Sequence, residues 1–470
     1  MASLDFGCML YAVKTHMQSN GRGFASKNER ECFVLNVIKM AVMVLLFGLP
    51  LVSFATSPFI SPAAVKIVQD DSRRVCVEYI LSGAPAVITV EFQTNTQENA
   101  GGVWVGIGGE NVQTLTGEIN KLIDVCDKTR SFIWDARKDW PDHVLKKGRI
   151  RAMLTAWVTN SLPDYMVVGL EKEKNCDVRY YADAAHVPGG TGDVRYKTEQ
   201  MLFRKIPAAG VVWKMGPESG EVCNDDEESH LVMLSSDYYM AVYETTQGQF
   251  FRATGENPST SRNEPDADVR PVTNVEYKGL RGMVYTDEEN YAYCWPQNKY
   301  SVAPGSYIDS FRKKSGLSGM DLPTEAQWEY ACRAGVEYKF NVKNWATFRF
   351  AHYGKPDNTQ PLPVGTLMSN NWGLYDMHGN VAECCLDRYV TGAAWKSTFI
   401  ADWQSGGVTV DPVGGNTWSV DRIVLKRGGS IVHDEKSARS ASRFKGGYNY
   451  PSYYIGFRLV CPAVAEKRRD

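Results

Sequence analysis

Between Trp372 and Asp387 the chain reads Trp-Gly-Leu-Tyr-Asp-Met-His-Gly-Asn-Val-Ala-Glu-Cys-Cys-Leu-Asp, and no other stretch limits the fold so tightly. Two glycines permit sharp backbone turns behind an aromatic entry. Asp376, Asn380 and Glu383 then set three oxygen-bearing side chains within eight residues. On one loop they offer the hard oxygen ligands that calcium takes. The same letters also make a solvated turn capped by Asp and Asn, and composition alone favours that plainer reading.

Three further stretches narrow the choice. They are Tyr243-Glu-Thr-Thr246; Leu322-Pro-Thr-Glu-Ala-Gln-Trp-Glu-Tyr-Ala-Cys-Arg-Ala-Gly335; and a closing set of Arg427-Gly-Gly-Ser430, Arg439-Ser-Ala-Ser-Arg443 and Gly456-Phe-Arg458. In composition and order, these and Trp372–Asp387 resemble the formylglycine-generating enzyme family, also called the sulfatase-modifying factor domain. Val211-Val-Trp-Lys-Met-Gly216 and Arg270-Pro-Val-Thr-Asn274 resemble two more of its strands. The resemblance spans roughly residues 206–463. It implies an α+β, C-type-lectin-like fold with little regular secondary structure and many fixed loops. It also implies calcium held by the Asp376 and Glu383 side chains with the Gly379 and Val381 carbonyls, and Glu244 resembles a further calcium-associated residue. A second family site is not expected, because residues 346–365 diverge and offer His352 and Asp357 instead. A Cys294–Cys461 disulfide is implied, although Cys461 falls two residues beyond the family's place after Gly-Phe-Arg.

One departure bears on function. The resemblance implies an oxidase that uses copper, held by two cysteines after the Gly-Gly-Ser, to convert a substrate cysteine into formylglycine. Soft thiolates suit Cu(I). Counted from Ser430, the two positions are His433 and Ala438, and no cysteine lies between Cys385 and Cys461. Copper is therefore not expected, and no catalytic residue is assigned. Cys384-Cys385 is read as a vicinal disulfide or as two unrelated thiols. Another branch of the wider family uses iron bound by a histidine-rich helical domain, but none of the seven histidines here pair at helical ligand spacing. His378 and His433 are read as structural before they are read as lone ligands. The expectation is a non-catalytic protein that binds a peptide, glycan or protein partner, with Tyr448, Tyr450, Tyr453 and Tyr454 as candidates to line the cleft or to pack in the core. A copper-dependent formylglycine-generating oxidase with a shifted site is the alternative.

Ahead of this domain, Val75, Val77, Tyr79 and Leu81 alternate with Cys76, Glu78 and Ile80, and Ile150 to Val158 alternate in the same way. Short alternating runs between Gly, Pro and Asn turns predict an all-β immunoglobulin-like or fibronectin-like sandwich over 57–172. Asp135, Asp139 and Asp142 around Trp140 are read as a turn. Residues 173–205, with Pro188-Gly-Gly-Thr-Gly, are expected to be a linker, and 464–470 a charged tail. Residues 1–56 hold a polar leader and then the uncharged run Met40–Ala55, with Ser53 and Ala55 placed as in a cleavage site. That layout predicts a signal peptide, or a membrane anchor over 34–55, and hence a secreted, periplasmic or cell-surface protein. Export permits disulfides among the eleven cysteines. A formal charge of −2 gives no sign of nucleic-acid binding.

Overall fold

The computed structural model divides into two units, residues 1–56 and 57–470. It describes residues 57–465 apart from 70–72, 84, 96–101, 172–176, 222–226, 283–301, 342–348, 357–358, 391–406, 414–422 and 448–449. The apolar run 40–55, Cys294, Asp357 and Tyr448 lie outside the described residues. Among those described, no helix is long and apolar enough to cross a membrane.

Alternation in the sequence becomes two sheets around one apolar core. Along Arg74–Ser82, Val75, Val77, Tyr79 and Leu81 are buried, and the antiparallel partner Thr129–Asp135 buries Phe132 and Trp134. In the second sheet Ala86–Asn95 pairs antiparallel with Ile150–Val158, from Ala86↔Val158 to Thr94↔Ile150. Its inward residues Ile88, Val90, Phe92 and Ala152 join the same cluster. A strand turns successive side chains to opposite faces, so alternation supplies one apolar face per sheet. Asp139 is not freely solvated. Its Oδ2 accepts hydrogen bonds from the Gln113 and Thr114 amides at 2.7 Å and from Trp134 Nε1 at 2.8 Å.

The next sheet crosses the segment expected to be a linker. Tyr165–Gly169 pairs with Val178–Tyr181 on one side and with Gln200–Ile206 on the other. Gln200–Ile206 continues to Tyr238–Ala241, and that strand to Val460–Pro462. Residues 173–205 thus supply strands, and their Pro-Gly letters punctuate those strands. Val87 faces away from the sandwich core and packs with Leu162, Met166 and Phe203 in the main domain's largest apolar cluster.

The remainder has few helices. Gln247–Thr254 starts with a reciprocal capping box between Thr246 and Gln249. The predicted central helix spans Glu325–Arg333 with Thr324 as its cap. Ala334 and Gly335 end it at φ 48° and 84°, and Trp328, Ala331 and Cys332 are fully buried. A four-stranded sheet, ordered Phe444–Gly447, Ile423–Arg427, Ala382–Arg388 and Ile455–Gly456, carries the end of the signature loop.

Candidate functional site

The sequence motifs meet as a buried frame of ion pairs. Glu325 and Glu329 stand one helical turn apart and are each 1% exposed. Glu325 takes Arg443 at 2.6 and 3.1 Å. Glu329 takes Arg333 at 2.8 Å and also pairs with Arg427. Burial alone would raise the Glu329 carboxyl, but Arg333, Arg427 and the Gly216 amide together draw it below its ordinary value. Arg439 bridges Glu221 at 2.6 Å and Glu227 at 2.8 Å. The helix motif therefore brings the acids and the closing segment the bases.

The signature loop stands within this frame. Gly379 has φ 98°, and a side chain there would strike the His352 carbonyl. Asp376 and Asn380 both adopt φ 57°, a left-handed turn that Asp and Asn tolerate. Glu383 accepts from Arg458 Nε at 2.9 and 2.8 Å, from Nη2 at 2.6 Å, and from Trp328 Nε1 at 2.7 Å. Glu244 accepts from Asn380 Nδ2 at 2.6 Å and from the Val381 amide at 3.0 Å. Asp376 Oδ2 accepts from the Gly365 amide at 2.7 Å, while its buried Oδ1 has no hydrogen-bond partner. Burial, then the Asp376 and Glu383 charges, hold the Glu244 carboxyl well above the usual range, and burial pushes Asp376 up to about 6.

This arrangement gathers the expected residues Glu244, Asp376, Gly379, Val381 and Glu383. The Glu383, Glu244 and Asp376 charges all act on Arg458, Lys197 also acts on Asp376, and one Asp376 oxygen has no hydrogen-bond partner. Glu383 is already saturated by Arg458 and Trp328, so a metal there would share its carboxylate with them. Among the described residues no group of three His, Cys, Asp or Glu side chains forms a metal-holding cluster. Sequence reasoning missed Arg458 as the partner of Glu383. The available signal was four arginines in the closing motifs against two glutamates on the central helix.

At the positions counted as the family's copper ligands, Ala438 is fully buried and its carbonyl meets His378 Nδ1 at 2.8 Å. His433 Nδ1 lies 2.8 Å from Ser430 Oγ. Its ring stacks on Phe444 with centroids 5.1 Å apart and stands edge-on to Tyr454 at 5.3 Å. His378 is a packed structural residue: with Nδ1 bound to Ala438, its Nε2 accepts the Asn341 amide at 3.2 Å. Burial pushes its pKa down to about 4. Cys332, 3.7 Å from His378, is pushed up by burial to about 12. Cys384 and Cys385 are separate thiols that face different apolar clusters from successive strand positions. Of the tyrosines, Tyr450 is exposed, while Tyr453 and Tyr454 are half-buried and meet edge to face at 5.2 Å.

A family model described as a sulfatase-modifying factor enzyme 1-like domain matches residues 184–463. Chaperone protein LppX of Paenibacillus barcinonensis is 28% identical over 215 residues, which cover 40% of this chain and 68% of that one. The formylglycine-generating enzyme of Thermomonospora curvata is 30% identical over 161 residues, 30% of this chain and 50% of its own. That of Mus musculus is 23% identical over 314 residues, 60% of this chain and 80% of its own. Among solved structures, Treponema denticola variable protein 1 aligns with a TM-score of 0.42 at 22% identity, covering 56% of this chain and 95% of that chain.

Proposed function

Because the chain belongs to the sulfatase-modifying factor enzyme 1-like family, which its match over residues 184–463 establishes, we propose that it keeps the family frame as an exported, non-catalytic binding module. The main domain, of C-type-lectin-like type, takes a peptide, glycan or protein partner. The sandwich, of immunoglobulin or fibronectin type, holds it away from its attachment. The observation that carries this reading is Ala438, a fully buried methyl at a position where the oxidase chemistry needs a thiolate. Its counterpart His433 is packed between rings. Cys332, which lies beside His378 and Ser440, and Cys384 are buried with thiols pushed up to about 12 and 11, opposite to the activation that a metal-binding thiol needs. The relative named as a chaperone favours a protein partner.

Calcium is part of the proposal. Asp376 and Glu383, with the Gly379 and Val381 carbonyls and Glu244 behind them, would hold it. The ion would supply the positive charge that the carboxylate cluster lacks and would fix the loop, since a ligand bound only by the folded form stabilises it.

One set of titrations tests both points. Purified protein is titrated with Cu(I) and with Ca²⁺, followed by metal content, thermal unfolding and oxidation of a cysteine-containing peptide. The expected result is no stoichiometric copper, no peptide oxidation, and a Tm that rises with calcium and returns with a chelator. Stoichiometric copper with turnover would establish the oxidase with a shifted site and remove the binding-module reading. A Tm unmoved by calcium would remove the metal.

A further inference from the structure

Buried cations in this domain come with carboxylates. Arg281 holds Asp321 at 3.0 Å, Arg443 holds Glu325 at 2.6 Å, and Arg458 holds Glu383 at 2.6 Å. Lys426 breaks the pattern. It is 5% exposed, yet among the described residues its Nζ makes no ion pair or hydrogen bond. The Nζ itself is not among the fully buried polar atoms left without a partner, so the stem is buried while the ammonium reaches the surface with no counter-charge beside it.

The strand Ile423–Arg427 places Lys426 between Cys384 on one neighbour and Phe444 on the other. Its Nζ lies in the space that a side chain at Gly446 would fill, against the strand Phe444–Gly447 at the edge of the sheet. Phe444 is also the ring on which His433 stacks, and His433 in turn meets Tyr454. With Nδ1 engaged by Ser430, the other ring nitrogen of His433 remains for a further contact. Burial depresses the amine, and only the Cys384 thiol opposes that. The nearby carboxylate Glu383 belongs to Arg458.

We propose that Lys426 takes a ligand's carboxylate, from an acidic side chain or chain terminus of a peptide, which lies against the rings of His433, Phe444 and Tyr454. This rests on the binding-module reading and names the chemistry of its partner.

Benzoate is the probe, since it joins one carboxylate to one ring, and benzamide is its neutral counterpart. Benzoate at about tenfold over its Kd is expected to raise Tm by roughly 2–4 °C, with benzamide inactive. Lys426→Met, which removes an unpaired charge and keeps the buried stem, is expected to keep or raise Tm without ligand and to lose the response. Should that variant fail to fold, amine labelling of Lys426 in the unaltered protein, mapped by mass spectrometry, is expected to fall severalfold with benzoate present. Equal responses to benzoate and benzamide, an undiminished response in Lys426→Met, or unprotected labelling would each overturn the proposal. Binding of a neutral partner in that case would leave the binding-module reading intact, whereas copper-dependent turnover would remove that reading alone.

Discussion

The sandwich and the main domain are held together by different physics. Among the described residues of the sandwich, the fully buried polar side chains are Thr89 and Asn120, and the core is aliphatic and aromatic. In the main domain Glu325, Glu329, Glu383, Arg281, Arg427 and Arg458 are all buried. A sheet with an apolar face closes its core by area alone, which is non-directional and tolerant of detail. A domain with few helices and many loops has less regular backbone to order it. There, charged groups with fixed partners specify where each loop must lie, because any other placement leaves a charge buried and alone.

The largest expected effect tests that difference directly. In calcium-free protein, Arg458→Met leaves Glu383 buried with only Trp328 beside it, which is expected to cost about 3–5 kcal/mol in chemical denaturation. Arg458→Met combined with Glu383→Leu is expected to recover most of the loss, since an apolar pair of similar volume can replace a buried ion pair. A cost under about 1 kcal/mol for the single change would mean that Glu383 is reached by water or by another cation. The contrast with the sandwich would then fail at its centre.

A smaller effect separates the regions by pH. His378 is neutral in the folded chain because its two ring nitrogens are committed, one as donor to Ala438 and one as acceptor from Asn341. Burial lowers its pKa from 6.5 to about 4. Between those values the unfolded chain binds more protons than the folded one, so this contribution is complete above pH 6.5 and is lost as pH falls toward 4. The loss approaches about 3 kcal/mol. Asp376, raised to about 6, acts with the opposite sign. The stability difference between the unaltered protein and His378→Gln, measured from pH 7.5 to 4.5, cancels it. That difference is expected to shrink on acidification, and a flat one would place His378 in contact with solvent.

The two regions were also legible in different ways. The sandwich was readable from Val75 to Leu81 and from Ile150 to Val158, because period-two alternation is a direct consequence of strand geometry. Its apolar face was anticipated along Val75 to Leu81 and at Ile150 and Ala152, whereas Val158 at the end of the second run is exposed. The end of the module was not, because Pro188-Gly-Gly reads as a break whether it separates domains or merely strands. In the main domain the central helix was readable from Thr324 to Gly335, with its cap, inward face and termination. The partners of its glutamates were not. Glu325 with Arg443 and Glu383 with Arg458 join residues distant in sequence, and no local period records such pairs. For the same reason Lys426 drew no attention in the sequence: its lack of a carboxylate is a property of the assembled sheet. Asp376 and Glu383 were chosen through resemblance, and geometry adds that Glu383 is bound by an arginine while one Asp376 oxygen is unpaired.

The smallest effect sharpens the comparison at the helix that carries the frame. Thr324 Oγ1 accepts from the Gln327 amide at 3.1 Å, and Gln327 Oε1 accepts from the Thr324 amide at 2.9 Å. Thr324→Ala removes half of this reciprocal cap, which ordinarily costs about 1 kcal/mol. The next residue, Glu325, donates its amide to Asp387 at 2.6 Å and extends its side chain to Arg443. If the ion pairs hold the helix start, the loss stays near that ordinary value, because Asp387 and Arg443 keep the first turn in place. If instead the cap orients the acids, the loss exceeds about 3 kcal/mol, Thr324→Ser restores it, and Arg443→Met adds little further in the Thr324→Ala background. Thermal and urea unfolding of the four proteins distinguishes these. The expected result is the small loss, since the Asp387 and Arg443 contacts leave a single cap hydrogen bond little to decide.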